Sequence, residues 1–184
     1  MCPLEPAPPS RTPPPATATR SALPDKIHAG SDMILTFRLN GATYGLPIMN
    51  VQEVLAYVTP APMPATSSDV RGVIELRGRA VPIIDLAQRL QARRTSIQPR
   101  TCTVILDIAG ADSTHPIGII VDAVDTVLDL ASVHIEPAPA SDAAPPSQRI
   151  LGMSNVDPAE LITLLDINCL FSGDEISKLT QCAD

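Results

Sequence analysis

Aromatic side chains are nearly missing from this chain: its 184 residues hold two Phe, two Tyr and no Trp. The interior must therefore be built from Val, Ile, Leu and Ala, and a surface that stacks nucleic-acid bases lacks the rings it needs. Positive charge is short as well, with 13 Lys and Arg against 20 Asp and Glu, a formal net charge of −7. The densest basic group, Arg89, Arg93, Arg94 and Arg100, has no aromatic among it. A nucleic-acid binder needs clustered cations to displace phosphate counterions, so that class is set aside.

Closely spaced metal ligands are lacking too. Cys2, Cys102, Cys169 and Cys182 form no CxxC pair, and His28, His115 and His134 stand in no metal-ligand spacing. No metal site is expected. Cys102 and Cys169 lie among apolar residues and read as small buried hydrophobes, as free thiols in a reducing compartment would. There is no G-x-S-x-G, no Walker lysine and no phosphate-cradling glycine loop. With no nucleophile backed by a base, neither catalysis nor a cofactor is expected. Long apolar runs are also absent: Ile117 to Leu130 is interrupted by Asp122, Asp125 and Asp129, too polar a stretch to span a bilayer. The prolines of the N-terminus leave no apolar core for a signal peptide, so a soluble cytoplasmic protein is expected.

What is present is a pattern that reads twice. Gly72-Val73-Ile74 leads through Arg77-Gly78 to Val81-Pro82-Ile83-Ile84-Asp85-Leu86, and eighty residues later Gly152-Met153-Ser154 leads to Leu161-Ile162-Thr163-Leu164-Leu165-Asp166-Ile167. Ahead of these, Tyr44-Gly45-Leu46-Pro47-Ile48 with Val51, Val54 and Leu55 matches Ile117-Gly118-Ile119-Ile120-Val121 with Val124, Val127 and Leu128. The order is the same in both halves, so two similar β-rich units are the simplest account. The length suits one domain, or two small subdomains sharing a core.

Residues 1–29 carry eight prolines and few bulky apolar side chains, and read as a disordered tail. Residues 30–171 form the folded domain, and 172–184 a short C-terminal helix and tail, with Ser172 and Glu175 as a capping box and Ile176 and Leu179 facing inward. Asn40-Gly41 between two strand-like runs predicts a hairpin. The spacing of Val51, Val54 and Leu55 is helical and predicts a short turn or helix with Glu53 outward. Asp85 and Asp166 each close a strand just before a helical turn, and read as N-caps rather than as catalytic acids. Arg77-Gly78 predicts a tight turn between strands, with Arg77 accessible. The Pro/Ala/Ser stretch 137–147 reads as a loop.

Val70-Arg71-Gly72-Val73-Ile74-Glu75-Leu76-Arg77-Gly78-Arg79-Ala80-Val81-Pro82-Ile83-Ile84-Asp85-Leu86 closely resembles the signature of CheW-type chemotaxis coupling proteins, G-V-I-N-L-R-G-x-x-V-P-V-I-D-L. The Tyr44–Ile48, Val51–Leu55, Ile117–Asp122 and Ile150–Gly152 segments resemble the family in the same order, so the likeness runs from about Met33 to Phe171. It implies a mainly β fold of two intertwined SH3-like five-stranded barrels with a hydrophobic seam. It also implies an adaptor without enzymatic activity, bridging the cytoplasmic tips of chemoreceptors (methyl-accepting chemotaxis proteins) to the regulatory domain of the CheA histidine kinase. The alternative is a CheW-like scaffold of a related pathway, such as twitching motility. A CheV-type fusion is disfavoured, because no receiver domain follows Phe171. Val51, Glu53 and Arg77 match positions that the family uses for partner contacts. Glu75 stands where the pattern has Asn, two residues from Arg77 and therefore expected on the same strand face. Either it or Glu53 is a candidate ion partner for Arg77.

Overall fold

Asn40 and Gly41 turn the chain between β1 (Met33–Leu39) and β2 (Ala42–Pro47), and both sit at positive φ, 48° and 83°. That is the turn geometry whose twist matches the flanking strands. Phe37 and Tyr44 are directly opposed across this hairpin, their rings stacked at 6.1 Å between centroids. The structure, a computed structural model, describes residues 33–64, 67–109, 113–129, 135–136, 150–157, 160–171 and 175–179. The proline-rich tail, the 137–147 stretch and Ser172 of the capping box lie outside the described residues.

After a single 3-10 turn at Ile48–Asn50 come β3 (Val51–Ala56), β4 (Val70–Leu76), β5 (Arg79–Asp85) and helix α1 (Leu86–Gln91). The second half follows with β6 (Cys102–Ala109), β7 (Thr114–Val121), β8 (Ala123–Asp129), the two-residue β9 (Ile135–Glu136), β10 (Ile150–Asp157), β11 (Glu160–Leu165) and helix α2 (Ile167–Leu170). A last helical turn covers residues 175–179 and buries Ile176 and Leu179, as expected.

The strands form two sheets. One has the order β3-β6-β7-β5-β4 and the other β8-β1-β2-β11-β10-β9. Matching the repeats element by element pairs β1-β2 with β6-β7, β3 with β8, β4 with β10 and β5 with β11. The two sheets then have the same order, apart from the small β9 that adds a sixth strand to one of them. Each sheet takes its hairpin from the other repeat, which makes the two units intertwined rather than consecutive. We call β3–β7 the central barrel and the other set the terminal barrel. In the central barrel the chain beyond β3 crosses to the opposite edge, where Ala61 and Val73 exchange backbone hydrogen bonds of 2.8 and 2.9 Å, so the sheet closes on itself.

Each donated hairpin meets its host along a parallel pair, β2 with β11 and β7 with β5. The same glycine serves at both crossings. A Cβ on Gly45 would stand 2.9 Å from Leu164, and one on Gly118 would overlap Ile83. The repeat therefore preserves a glycine because a neighbouring strand occupies the side-chain space.

Sheet strands buried on both faces read as continuous apolar runs. Val104, Leu106 and Ile108 of β6 point into a core shared by the two barrels, with Phe37, Leu46, Ile84, Leu165 and Phe171, while Ile105 points the other way into the central barrel with Val81, Ile83 and Ile120. Asp85 and Asp166 cap α1 and α2 as the repeat predicts: Asp85 accepts from Gln88 N at 3.2 Å, and Asp166 from Asn168 N at 3.0 Å. Asp85 does more than cap. Fully buried, it also accepts from the Thr95 hydroxyl at 2.8 Å and backbone N–H at 3.0 Å, and pairs with Arg71 Nε at 3.1 Å.

Two expectations are corrected. Residues 51–56 are a strand, not a helical turn, because β6 supplies a hydrogen-bonding partner along their length and the single helical turn falls just before them. Cys169 is exposed and Cys102 half-buried. The apolar neighbours of Cys169, Ile167 and Leu170, take the buried side of α2, and Cys169 falls on the other.

Candidate partner-binding site

In β3 the burial alternates with every residue. Glu53 and Leu55 lie on the side of Ile105, Val51 lies across a bulge on the side of Leu106, and Gln52, Val54 and Ala56 are exposed. From Glu53 onward the period is 2, which reverses the orientation expected for two residues. Glu53 turns inward with Leu55, and Val54 is 41% exposed.

Arg77 ends up opposite Glu53. The β4–β5 turn places Arg77 and Gly78 at φ 52° and 74°, both in the left-handed region. Arg77 therefore does not continue the pleat of β4, and its relation to Glu75 is not that of residues two apart on one strand face. Glu75 is exposed, opposite Ala80. The acid that reaches Arg77 is Glu53, with Nη2 to Oε1 at 3.1 Å, the arginine side chain 71% exposed and the glutamate 22%. β3 and β4 are the two edges of the central sheet, so this pair spans the seam where the barrel closes. Glu53 Oε1 is covered and takes no well-aligned hydrogen bond, so Arg77 neutralises it through charge more than through geometry. Val51, the third residue named from the sequence, packs partly buried against the shared core and sets the start of the strand. The structure thus joins Glu53 to Arg77 and leaves Val51 across the bulge, on the other face of the strand.

Beside Arg77 lies a shallow pocket of about 300 Å³ whose walls are Gln52, Leu76, Arg77, Arg79, Val81 and Pro116. Among the described residues no group of three or more His, Cys, Asp and Glu comes together where a metal ion could be held. No helix of the described residues is long and apolar enough to cross a membrane.

A family model described as the CheW-like domain matches residues 33–175, most of the chain. The chain belongs to the CheW-like family. It is 32% identical over 149 residues to the chemotaxis protein CheW of Klebsiella aerogenes, covering 81% of this chain and 87% of that protein. It is 31% identical over 136 residues to protein FrzA of Myxococcus xanthus, covering 73% and 81%. Among solved structures, the scaffolding protein TtCheW of Thermoanaerobacter tengcongensis superposes with a TM-score of 0.67 at 30% identity, covering 82% of this chain and 95% of that one. The CheW-like fold expected from the signature is the fold observed, and the protein is a CheW-type chemotaxis scaffold.

Residues that sequence reading passed over carry much of this CheW-like architecture. Arg89, counted among scattered basic residues, is 8% exposed and joins four elements. Its Nε donates to Asp69 at 2.6 Å, Nη1 to the Leu170 carbonyl at 2.8 Å, Nη2 to Glu175, and its guanidinium lies 4.6 Å from the centre of the Phe171 ring. Burial alone would raise the Asp69 carboxyl, but hydrogen bonds from Ser67 and Arg89 and the arginine's charge outweigh it and hold the group below the usual carboxylate range. Glu175 lies 86 residues from Arg89, so no local spacing announces the contact. Arg79 and Pro116 were passed over in the same way. The one sequence signal for Arg79 is its place beside Arg77 in the Arg-Gly-Arg turn.

Proposed function

We propose that this protein is a non-enzymatic cytoplasmic adaptor that couples chemoreceptors to a CheA-type histidine kinase, with Val51, Glu53 and Arg77 in its partner-binding surface. The observation that carries the site is the presentation of Arg77. Its guanidinium stays 71% exposed while Glu53 steadies it from the barrel seam, which leaves donors of the planar fork free for a partner carboxylate. A backbone held in the left-handed region at a non-glycine residue is itself a reason to look for function at that turn. Val54 and Val58, 41% and 58% exposed on and just after β3, add an aliphatic patch of the kind that forms the centre of an interface with a homologous kinase domain.

A second reading follows from the Myxococcus relative FrzA: the same scaffold serving a related kinase pathway rather than flagellar chemotaxis. Co-sedimentation separates the two. The full-length protein is mixed with membranes bearing chemoreceptors encoded beside it and with the co-encoded kinase. Ternary pelleting that depends on the adaptor supports the first reading. Kinase binding without receptor pelleting supports the second, and failure to bind either partner at micromolar concentration overturns the adaptor role.

A further inference from the structure

Arg79 stands between two depressions at the tip of the central barrel and forms a wall of both. On one side is the pocket of about 300 Å³ floored by Leu76, Val81 and Pro116. On the other is one of about 430 Å³ that also includes Pro116, with Ser113, Thr114, His115 and the backbone of Gly78 around it. The first is largely aliphatic at its base. The second is rimmed by hydroxyls and an imidazole, with Ser113 Oγ and His115 Nε2 3.1 Å apart.

The arginines around Arg79 are already engaged. Arg71 pairs with Asp85, Arg77 with Glu53 and Arg89 with Asp69 and Glu175. Arg79 is exposed, and among the described residues no acid lies within ion-pair distance of it, although the chain as a whole is strongly acidic. An exposed cation between an aliphatic pocket and a hydroxyl-rimmed one is complementary to an apolar side chain followed closely by a carboxylate. Arg79 also occupies the first unspecified position of the family signature, whereas Arg77 occupies a specified one. A contact made by Arg79 is therefore one that the signature itself does not require.

We propose that the Arg79 tip is a specificity site for an acidic segment of one partner protein, seating an aliphatic side chain against Leu76, Val81 and Pro116 and a carboxylate between Arg79 and the Ser113–Thr114 hydroxyls. The inference rests on the adaptor reading and says how this adaptor selects its own partner. Charge-assisted hydrogen bonds of this kind are directional, and an exposed pair weakens with salt.

The test is titration calorimetry of the full-length protein with the cytoplasmic fragment of the co-encoded receptor and, separately, with the co-encoded kinase. Arg79→Glu weakens one of the two interactions at least tenfold and leaves the other within twofold. Arg79→Lys stays within threefold of wild type, and Ser113→Asp, which places an anion in the pocket, reproduces the loss. Wild-type binding of the affected partner falls as salt is raised, and Arg79→Glu flattens that dependence. Equal affinities for wild type and Arg79→Glu with both partners overturn the site while leaving the adaptor reading standing. A wild-type protein that binds neither partner overturns both. Arg79 is exposed at a turn, so thermal unfolding of the variants matches wild type, which separates a lost contact from a lost fold.

Discussion

Replacing Arg77 with glycine separates the two things this residue does. Arg77 holds φ at 52°, a conformation that costs a non-glycine residue roughly 1 kcal/mol and glycine almost nothing. Its ion pair with Glu53 joins a 71% exposed arginine to a 22% exposed glutamate. Solvent screening limits such a pair to at most about 1 kcal/mol. Arg77→Gly removes the pair and relieves the strain, so the two changes offset and unfolding free energy moves by less than about 1 kcal/mol. Arg77→Ala removes the pair and keeps the strained backbone, and leaves the covered Glu53 oxygen without its cation. It destabilises by about 1–2 kcal/mol. The expected order of stability is wild type close to Arg77→Gly, with Arg77→Ala below both. Urea unfolding measures this, and pelleting with receptor membranes and kinase measures function. Both variants lose partner association, because the guanidinium is gone from each. Arg77→Gly at wild-type stability with wild-type assembly would refute the partner role. A loss of more than about 2 kcal/mol in Arg77→Gly would show instead that the seam depends on the pair.

Three further outcomes follow from the same framework. Arg71→Ala leaves Asp85 buried without its cation and lowers stability by about 3–5 kcal/mol in urea unfolding, and a loss under 1 kcal/mol would show that Thr95 and Gln88 suffice to hold the carboxylate. The folded-state pKa of Asp69 lies below its unfolded value of 3.8, so its contribution is complete above about pH 4 and is lost as pH falls through the lower folded value. Asp69→Asn is therefore less stable at neutral pH and falls less steeply on acidification than wild type, and parallel acid limbs would refute the assignment. Gly72→Ala forces a Cβ into the Ala61 carbonyl at φ 140°, opening the bridge that closes the central barrel. Faster amide exchange at Val73 and a cooperative loss of stability are expected, and unchanged protection there would refute the closure.

The repeat was legible because each half spells its strands and caps in the same order, down to Asp85 and Asp166 and to the paired Gly45 and Gly118. The intertwining came from the family likeness and not from the pattern, since a repeat is silent on which half its hairpin joins. β3 misled because Val51, Val54 and Leu55 satisfy a helical spacing in a segment too short for period alone to decide. The strand partner β6 lies some fifty residues away and settles it. Glu53 and Arg77 were both named, with either Glu53 or Glu75 as the acid of Arg77, and the meeting of Glu53 with Arg77 depends on the two sheet edges closing. Arg89 was read as one of several dispersed cations because its partners, Asp69 and Glu175, flank it at 20 and 86 residues. Burial of a charge is a property of the packed barrels, and composition does not display it.

The exchange of hairpins makes each repeat an incomplete object. A single repeat supplies three strands of one barrel and two of the other, so it closes neither, whereas two identical copies trading hairpins about a two-fold axis would close both. The molecule has the architecture of a domain-swapped dimer written on one chain, with the segment after α1 as the link between its halves. Chain cleavage in that link would give two fragments that are each unfolded alone and complementary together. The receptor- and kinase-facing surfaces proposed for the central barrel are thereby made conditional on the far half of the chain. A lesion in β6 or β7 would reach the Arg77 turn as directly as one beside it.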